Sequence, residues 1–294
     1  MSLTALRSRP YTVAAVVFFA ALAVPFCGRL TADWDAVYVP AAQRLAAGEG
    51  VFDEVFVYPP INAWLALPWA PLPKLPRRLL WYAVNVAAVV VFFRGAWRLS
   101  GGGRLEGQPS PREHLIAWLG LLAAGAYSLD ALTNHQTDLV IAALVVVGCG
   151  WVSAGKDVRA GAVLGLAAGI KCTPLLFAAY LGWRRRWLAA ALVPAVAVGV
   201  NFLPDLTHPR PGAPPRLGEW VGRYLEPMAQ SEHDLGRWYT KINFNHSLAG
   251  LTNRLLVWRP DSRGATCCPR STPTGRAGPR SRPSRWARCS PSCC

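Results

Sequence analysis

Residues 29 to 60, RLTADWDAVYVPAAQRLAAGEGVFDEVFVYPP, decide how the rest of the chain is read. The stretch carries Asp33, Asp35, Glu49, Asp53 and Glu54 against Arg29 and Arg44, a local balance of −3 in a chain whose formal net charge is +15. It is acidic, aromatic and partly amphipathic, and strongly apolar segments lie on both sides of it. That contrast marks a site or an exported loop. Within it Val37, Ala41 and Leu45 recur at helical spacing, Pro40 falls in a first turn where proline is tolerated, and Gly48 and Gly50 follow the end. A short helix lying along the membrane interface is expected from Val37 to Ala47. Tyr58, Pro59 and Pro60 then open the apolar run Ile61 to Leu72.

Working outward, the 294 residues are 52% hydrophobic with 13 Trp, and the mean hydropathy is +0.23. This is too apolar for an ordinary soluble domain, and several runs approach membrane-spanning length. The expected class is all-α: a polytopic membrane protein in which each helix satisfies its own backbone and lipid covers the outside. Before the acidic stretch, Arg7 and Arg9 precede an apolar run from Tyr11 to Gly28. Pro25, Phe26 and Cys27 occupy the place where a signal peptide needs small residues, so an uncleaved first helix with a cytoplasmic N-terminus is expected. The acidic loop then lies on the outer face.

After it, Ile61 to Leu72 is short for a full span and is expected to be tilted or re-entrant, closed by Lys74, Arg77 and Arg78. Further apolar segments run from Leu79 to Phe93, His114 to Leu129, Leu139 to Val152, Ala160 to Trp183 and Trp187 to Leu203, for about seven or eight membrane segments in all. If every segment crosses, the basic clusters at 74 to 78 and 184 to 186 fall on the N-terminal side and the one at 94 to 112 falls opposite. Either one cluster breaks the positive-inside rule or one segment does not span. The loop from Pro204 to Asn245 is long, proline-rich and aromatic, and His246 to Trp258 turns apolar again.

Two domains are drawn: residues 1 to 258, and a tail from 259 to 294 holding eight Arg, five Cys and six Pro with one acidic residue. Charge alone offers a nucleic-acid or anionic-lipid tail, and Cys267, Cys268, Cys289, Cys293 and Cys294 offer a metal site. Adjacent cysteine pairs lack zinc spacing, and the favoured reading is out-of-frame translation of GC-rich DNA after a cut helix. Cys27, Cys149 and Cys172 are expected as core residues. The chain shows no nucleotide-binding glycine motif, zinc signature or hydrolase elbow. No metal, cofactor or nucleic-acid partner is expected.

Four stretches in order carry a resemblance. They are Asp33, Asp35, Tyr38, Ala41, Ala42, Leu45 and Gly48; then Tyr58, Pro59 and Pro60; then Gly165 through Pro174 with Arg184, Arg185, Arg186 and Trp187; finally Asn245, His246, Ser247 and Leu248. Together, over roughly residues 11 to 258, they resemble the polyprenyl-phosphate-mannose-dependent mannosyltransferases of glycosyltransferase family 87, membrane enzymes of the GT-C fold. The resemblance implies a GT-C-like helical bundle in the cell membrane with its active face extracytoplasmic. It also implies an inverting transfer of a hexose, most simply mannose in α-(1→2) linkage. The donor is a polyprenyl-phosphate-linked sugar, the acceptor a glycolipid or glycan hydroxyl, and membrane lipid surrounds both.

The acceptor oxygen needs a general base, and Asp33 or Asp35 can supply it. The resemblance favours Asp33, next to Trp34, while either aspartate can equally cap the interfacial helix. Lys171, a lysine in an apolar run, is expected to meet the phosphate or to snorkel to the interface. Tyr38 and Tyr58 are expected at the substrate. His135, Gln136 and Asp138 stand where the family shows Gly, Gln and Asn, and Gln136 alone matches. Asn245, His246 and Ser247 are expected to line the sugar or phosphate, or else to cap the next helix. Two other readings are an incomplete, inactive copy of such an enzyme and a non-enzymatic transporter or scaffold. A transporter should show two similar halves with interrupted helices, and the chain shows no such repeat.

Overall fold

The computed structural model describes residues 10–29, 32–101 and 111–226. All belong to the first of two compact units, Met1–Arg237. Asn245, His246, Ser247 and the tail from 259 to 294 lie outside the described residues. Every described regular element is helical: α1 (Pro10–Gly28), α2 (Val39–Ala46, entered through a π-turn at Trp34–Tyr38), α3 (Ile61–Ala66), α4 (Lys74–Leu99), α5 (Pro111–Thr133), α6 (Asp138–Ser153), α7 (Asp157–Ile170), α8 (Leu176–Trp183), α9 (Trp187–Val200), α10 (Leu203–Thr207) and α11 (Arg216–Trp220). Among the described residues two helices are long and apolar enough to cross a membrane by length and composition, Lys74–Leu99 and Trp187–Thr207, and Val17–Gly28 and Asp138–Ser153 are shorter apolar helices.

The helices pack in the order α4, α6, α7, α9, and small residues set the closest of these contacts. On α7, Gly161, Gly165 and Gly169 recur every fourth residue along one face and lie against Ala189, Val193 and Ala197 of α9. A Cβ on Gly165 would come within 2.6 Å of the Val196 Cβ and 2.8 Å of the Val193 carbonyl oxygen. In lipid the apolar effect does not drive helices together, so this backbone approach is what holds the pair.

The run from Ile61 to Leu72 forms only the six-residue α3 followed by a turn. Ile61 starts α3 with its N–H donated to the Asn201 side chain at 3.0 Å, and Asn62 donates to the Ile170 carbonyl at 2.9 Å. After the short helix and a turn through Trp69, Arg77 and Arg78 reach back to Asp35. The run from Ile61 to Leu72 thus begins and ends at one end of the bundle, with Pro59 and Pro60 leading into its helix and Pro73 capping the start of α4. This end gathers the C-terminus of α1, the acidic loop, the start of α4, the α5–α6 turn, and the ends of α7 and α9.

The short helix expected from Val37 to Ala47 is present as α2, starting two residues later because the chain opens it as a π-turn. Its buried face, Val37, Tyr38, Ala41, Ala42 and Leu45, packs with Phe56, Ala63 and Trp69 instead of facing lipid. The loop behind it is stiffened by Asp53, whose carboxylate accepts the N–H groups of Val55 at 2.8 Å and Phe56 at 2.6 Å and pairs with Arg44 at 2.8 Å. Burial pushes the Asp53 carboxyl up, but those N–H groups and Arg44 outweigh it and hold it below its ordinary value. The segment after α10 closes over this loop: Trp220 donates to the Val57 carbonyl at 3.0 Å and Tyr224 to that of Phe56 at 3.1 Å.

Candidate functional site

The two candidate aspartates sit two residues apart at the π-turn, yet they face different surroundings. Trp34 between them is buried, stacked on Trp81 with centroids 3.7 Å apart and edge-on to Trp69 at 5.6 Å. That anchor turns the aspartates to either side. Both carboxylate oxygens of Asp35 are taken. Arg77 donates to Oδ1 from Nε at 2.8 Å and from a terminal nitrogen at 2.7 Å, and Arg78 donates to Oδ2 at 2.5 Å. The side chains are 13%, 13% and 3% exposed for Asp35, Arg77 and Arg78. Arg78 also donates to the carbonyls of Cys27 and Arg29, both at 2.6 Å, closing the end of α1. A buried carboxylate held by two guanidinium groups is a strut.

Asp33 is half-buried and meets a neutral donor instead, Gln136 Nε2 at 3.2 Å from its Oδ2. Its backbone N–H donates to the Asn134 carbonyl at 3.1 Å, which ties the acidic loop to the α5–α6 turn. Within that turn His135 is fully buried with a positive φ of 57°. A left-handed backbone suits glycine, the residue that the resemblance carries here. His135 repays the strain by stacking on Phe26 at 3.5 Å and donating from Nε2 to the Phe26 carbonyl at 2.9 Å. Burial, reinforced by the nearby Arg78, pushes its pKa down to about 4, so the ring is neutral near pH 7.

Lys171 lies directly after α7, at an extended backbone position where the helix stops. Its ammonium meets the Asp138 carboxylate at 2.6 Å, and both side chains are open to solvent, 45% and 36%. Tyr58 is the common neighbour. Burial pushes its phenol above the ordinary value; Tyr38 opposes this, Asp33 adds to it, Lys171 opposes it and Asp138 adds to it. The Tyr38 and Tyr58 rings stack at 4.8 Å. Burial, with Tyr58, pushes the fully enclosed Tyr38 phenol well above its ordinary value, so both phenols stay protonated.

The fold therefore brings Asp33, Tyr38, Tyr58, Gln136 and Lys171 to one end of the bundle, and it sets Asp35 aside within the same end. Arg184, Arg185 and Arg186 stand at the other end, where Arg186 pairs with Asp157 at 2.6 Å. Reading the sequence missed the two asparagines that build this end. Asn201 accepts from the Ile61 N–H and donates to the carbonyls of Gly169 at 3.1 Å and Ala197 at 2.8 Å, while Asn62 holds Ile170. Both are buried, and they fasten Tyr58 and Lys171 in register. A lone asparagine at the edge of an apolar run is the signal that points to them. Among the described residues no group of three or more His, Cys, Asp or Glu is placed to hold a metal ion.

A half-buried acidic side chain with a neutral partner, an exposed ammonium and the half-buried Tyr58 phenol can accept a proton, meet an anion and hydrogen-bond a polyhydroxyl substrate. Comparison with known proteins agrees in kind. A polyprenol-phosphate-mannose-dependent alpha-(1-2)-phosphatidylinositol pentamannoside mannosyltransferase of Mycolicibacterium smegmatis is 29% identical over 234 residues, 75% of this chain and 52% of the relative. The protein of the same name from Mycobacterium tuberculosis is 31% identical over 205 residues, 68% of this chain and 42% of the relative. The chain thus spans about half the length of these curated relatives. No solved structure matches it. The model of glycosyltransferase family 87 matches residues 56–267, which takes in Tyr58, Gln136, Lys171 and Asn245 to Ser247 and begins after the two aspartates. With well over half its residues in that match, the chain belongs to glycosyltransferase family 87.

Proposed function

We propose that this chain carries the catalytic end of a membrane mannosyltransferase, taking mannose from a polyprenyl-phosphate-linked donor to a hydroxyl of a glycolipid. The named relatives use polyprenol-phosphate-mannose and act on a phosphatidylinositol mannoside, and the same substrate classes are assigned here. The observation that carries the reading is the convergence of Asp33 and Lys171, from separate stretches, on the half-buried Tyr58.

In the proposed step the acceptor hydroxyl attacks the anomeric carbon and Asp33 takes its proton, leaving a carboxylic acid. The bond from that carbon to the phosphate oxygen breaks with its electron pair going to the phosphate. Lys171 meets the anion that results. Asp33 is preferred to Asp35 because a base must be within reach of the incoming hydroxyl, and two arginines enclose the Asp35 carboxylate, leaving it 13% exposed. Tyr58 and Gln136 supply a hydroxyl and an amide for the sugar, and the enclosed Tyr38 backs the Tyr58 ring. An apolar groove of about 460 Å³ runs between the re-entrant turn and α4, lined by Trp69, Leu72, Leu80 and Val84. Through Trp69 it adjoins Trp34, and it suits the prenyl chain of the donor.

The same reading places this end outside the cell membrane. With Ile61 to Leu72 re-entrant, Lys156, Arg159 and Arg184 to Arg186 gather at the opposite end, where the positive-inside rule puts the cytoplasm. Lys74, Arg77 and Arg78 fall at the site end, and the last two are spent on Asp35. Arg94 and Arg98, near the end of α4, then fall on the same side as Arg184 to Arg186, and the cluster at 74 to 78 becomes the one opposite.

The test is transfer of labelled mannose to extracted phosphatidylinositol mannosides by membranes containing the chain. Polyprenyl-phosphate-mannose and guanosine-diphosphate-mannose are offered separately. Transfer from the lipid-linked donor alone is expected. Transfer from the nucleotide sugar alone, or from neither, contradicts the proposal.

A further inference from the structure

Lys171 is the cation assigned to the phosphate, and its ammonium already has a carboxylate partner. Both ends of this ion pair are rigidly mounted. Asp138 is the first residue of the sixteen-residue α6, and Lys171 follows Ile170, whose carbonyl is held by Asn62. Asp138 is the only hydrogen-bonding partner of Lys171 among the described residues, which leaves two of the three ammonium protons for a ligand. Around Tyr58 stand two carboxylates, Asp33 and Asp138, and one ammonium, Lys171, a formal balance of −1 before any donor arrives.

A glycosyl phosphodiester brings one negative charge. Once the sugar leaves, the lipid phosphate becomes a monoester whose charge is about −1.5 to −2 at neutral pH. The product therefore grips a lone ammonium harder than the donor does, which slows its departure. A carboxylate at 2.6 Å gives that ammonium somewhere to return.

We infer that Asp138 is a positioning residue that acts as a counterweight on Lys171, weakening the grip of the site on lipid-linked phosphate so that the spent carrier can leave. The inference rests on the proposed reading of the site. It assigns a role to the position where the resemblance carries a neutral amide, and it explains a half-exposed ion pair at the cation assigned to an anion. A strut with the same geometry would do the opposite, because releasing Lys171 from it would loosen the phosphate site.

The experiment measures farnesyl phosphate binding to the full chain in lipid nanodiscs, for the wild type and for Asp138→Asn, Asp138→Glu and Asp157→Asn. Donor KM and kcat are read in parallel, and melting temperatures confirm that each variant is folded. Asp157→Asn breaks a pair of equal length, 2.6 Å, at the far end. Removing one charge next to the ammonium is expected to tighten farnesyl phosphate about tenfold in Asp138→Asn. Its donor KM falls and its kcat does not rise. Asp138→Glu keeps wild-type affinity, and Asp157→Asn leaves it unchanged. Affinity that is unchanged or weaker in folded Asp138→Asn, or no farnesyl phosphate binding in any variant, overturns the inference. Tighter binding in Asp138→Asn by a chain that transfers no mannose removes the proposed reaction and leaves the counterweight standing.

Discussion

The two ends of the bundle use the same chemistry, acidic and basic side chains in contact, for different ends. At the far end Arg186 and Asp157 pair at 2.6 Å with both side chains about one-third exposed. At the site end Asp35 is enclosed by Arg77 and Arg78, none more than 13% exposed. An exposed pair exchanges readily with water and headgroups, and its loss costs little. A buried triad has no such substitute, so it fixes the parts that carry it: the end of α1, the acidic loop and the start of α4. The lesson is that burial, and not the number of charges, tells an anchor from a frame.

Breaking the frame should therefore be the most damaging change. Asp35→Asn leaves two arginines with one neutral acceptor and is expected to cost about 3–5 kcal/mol, read as loss of folded protein in detergent melts. Acid attacks the same end by another route. His135 titrates near 6.5 when unfolded and at about 4 when folded, so the folded state takes up its proton less readily. The stability this represents is complete above pH 6.5 and is lost as pH falls toward 4, a decline of about 3 kcal/mol. His135→Phe should flatten that part of the pH–stability curve. Between the two ends, Gly165→Ala forces α7 and α9 apart at the Val193 carbonyl and should cost about 1–3 kcal/mol. Arg186→Ala at the far end should cost at most about 1 kcal/mol, and a larger loss there would erase the contrast.

Much of this was legible in the residues themselves. Lys171 in an apolar run, the Tyr58-Pro59-Pro60 start and the acidic loop all depart from what lipid tolerates, and each departure marks the site end. The glycines at 161, 165 and 169 were equally readable from their spacing, though only contact with α9 explains them. What the chain order hides is partnership at long range. Arg77 and Arg78 look like the basic close of an apolar run, and only the fold brings them to Asp35, more than forty positions earlier. The same holds for Asn62 and Ile170, 108 positions apart, whose bond ties the start of α3 to the end of α7. Asp33 and Asp35 are near-equal candidates as a pair of letters. Trp34, buried between them, is what separates their surroundings.

The most direct test of the account sets Asp33→Asn beside Asp35→Asn and measures mannose transfer per folded molecule, with folded protein counted separately. Asp33→Asn is expected to reach the membrane in wild-type amounts and to lose about 10²- to 10⁴-fold in transfer. Asp35→Asn is expected to yield less folded protein, each molecule of which still transfers. Full transfer by Asp33→Asn, or a fully folded but inactive Asp35→Asn, would contradict the division of labour between base and strut.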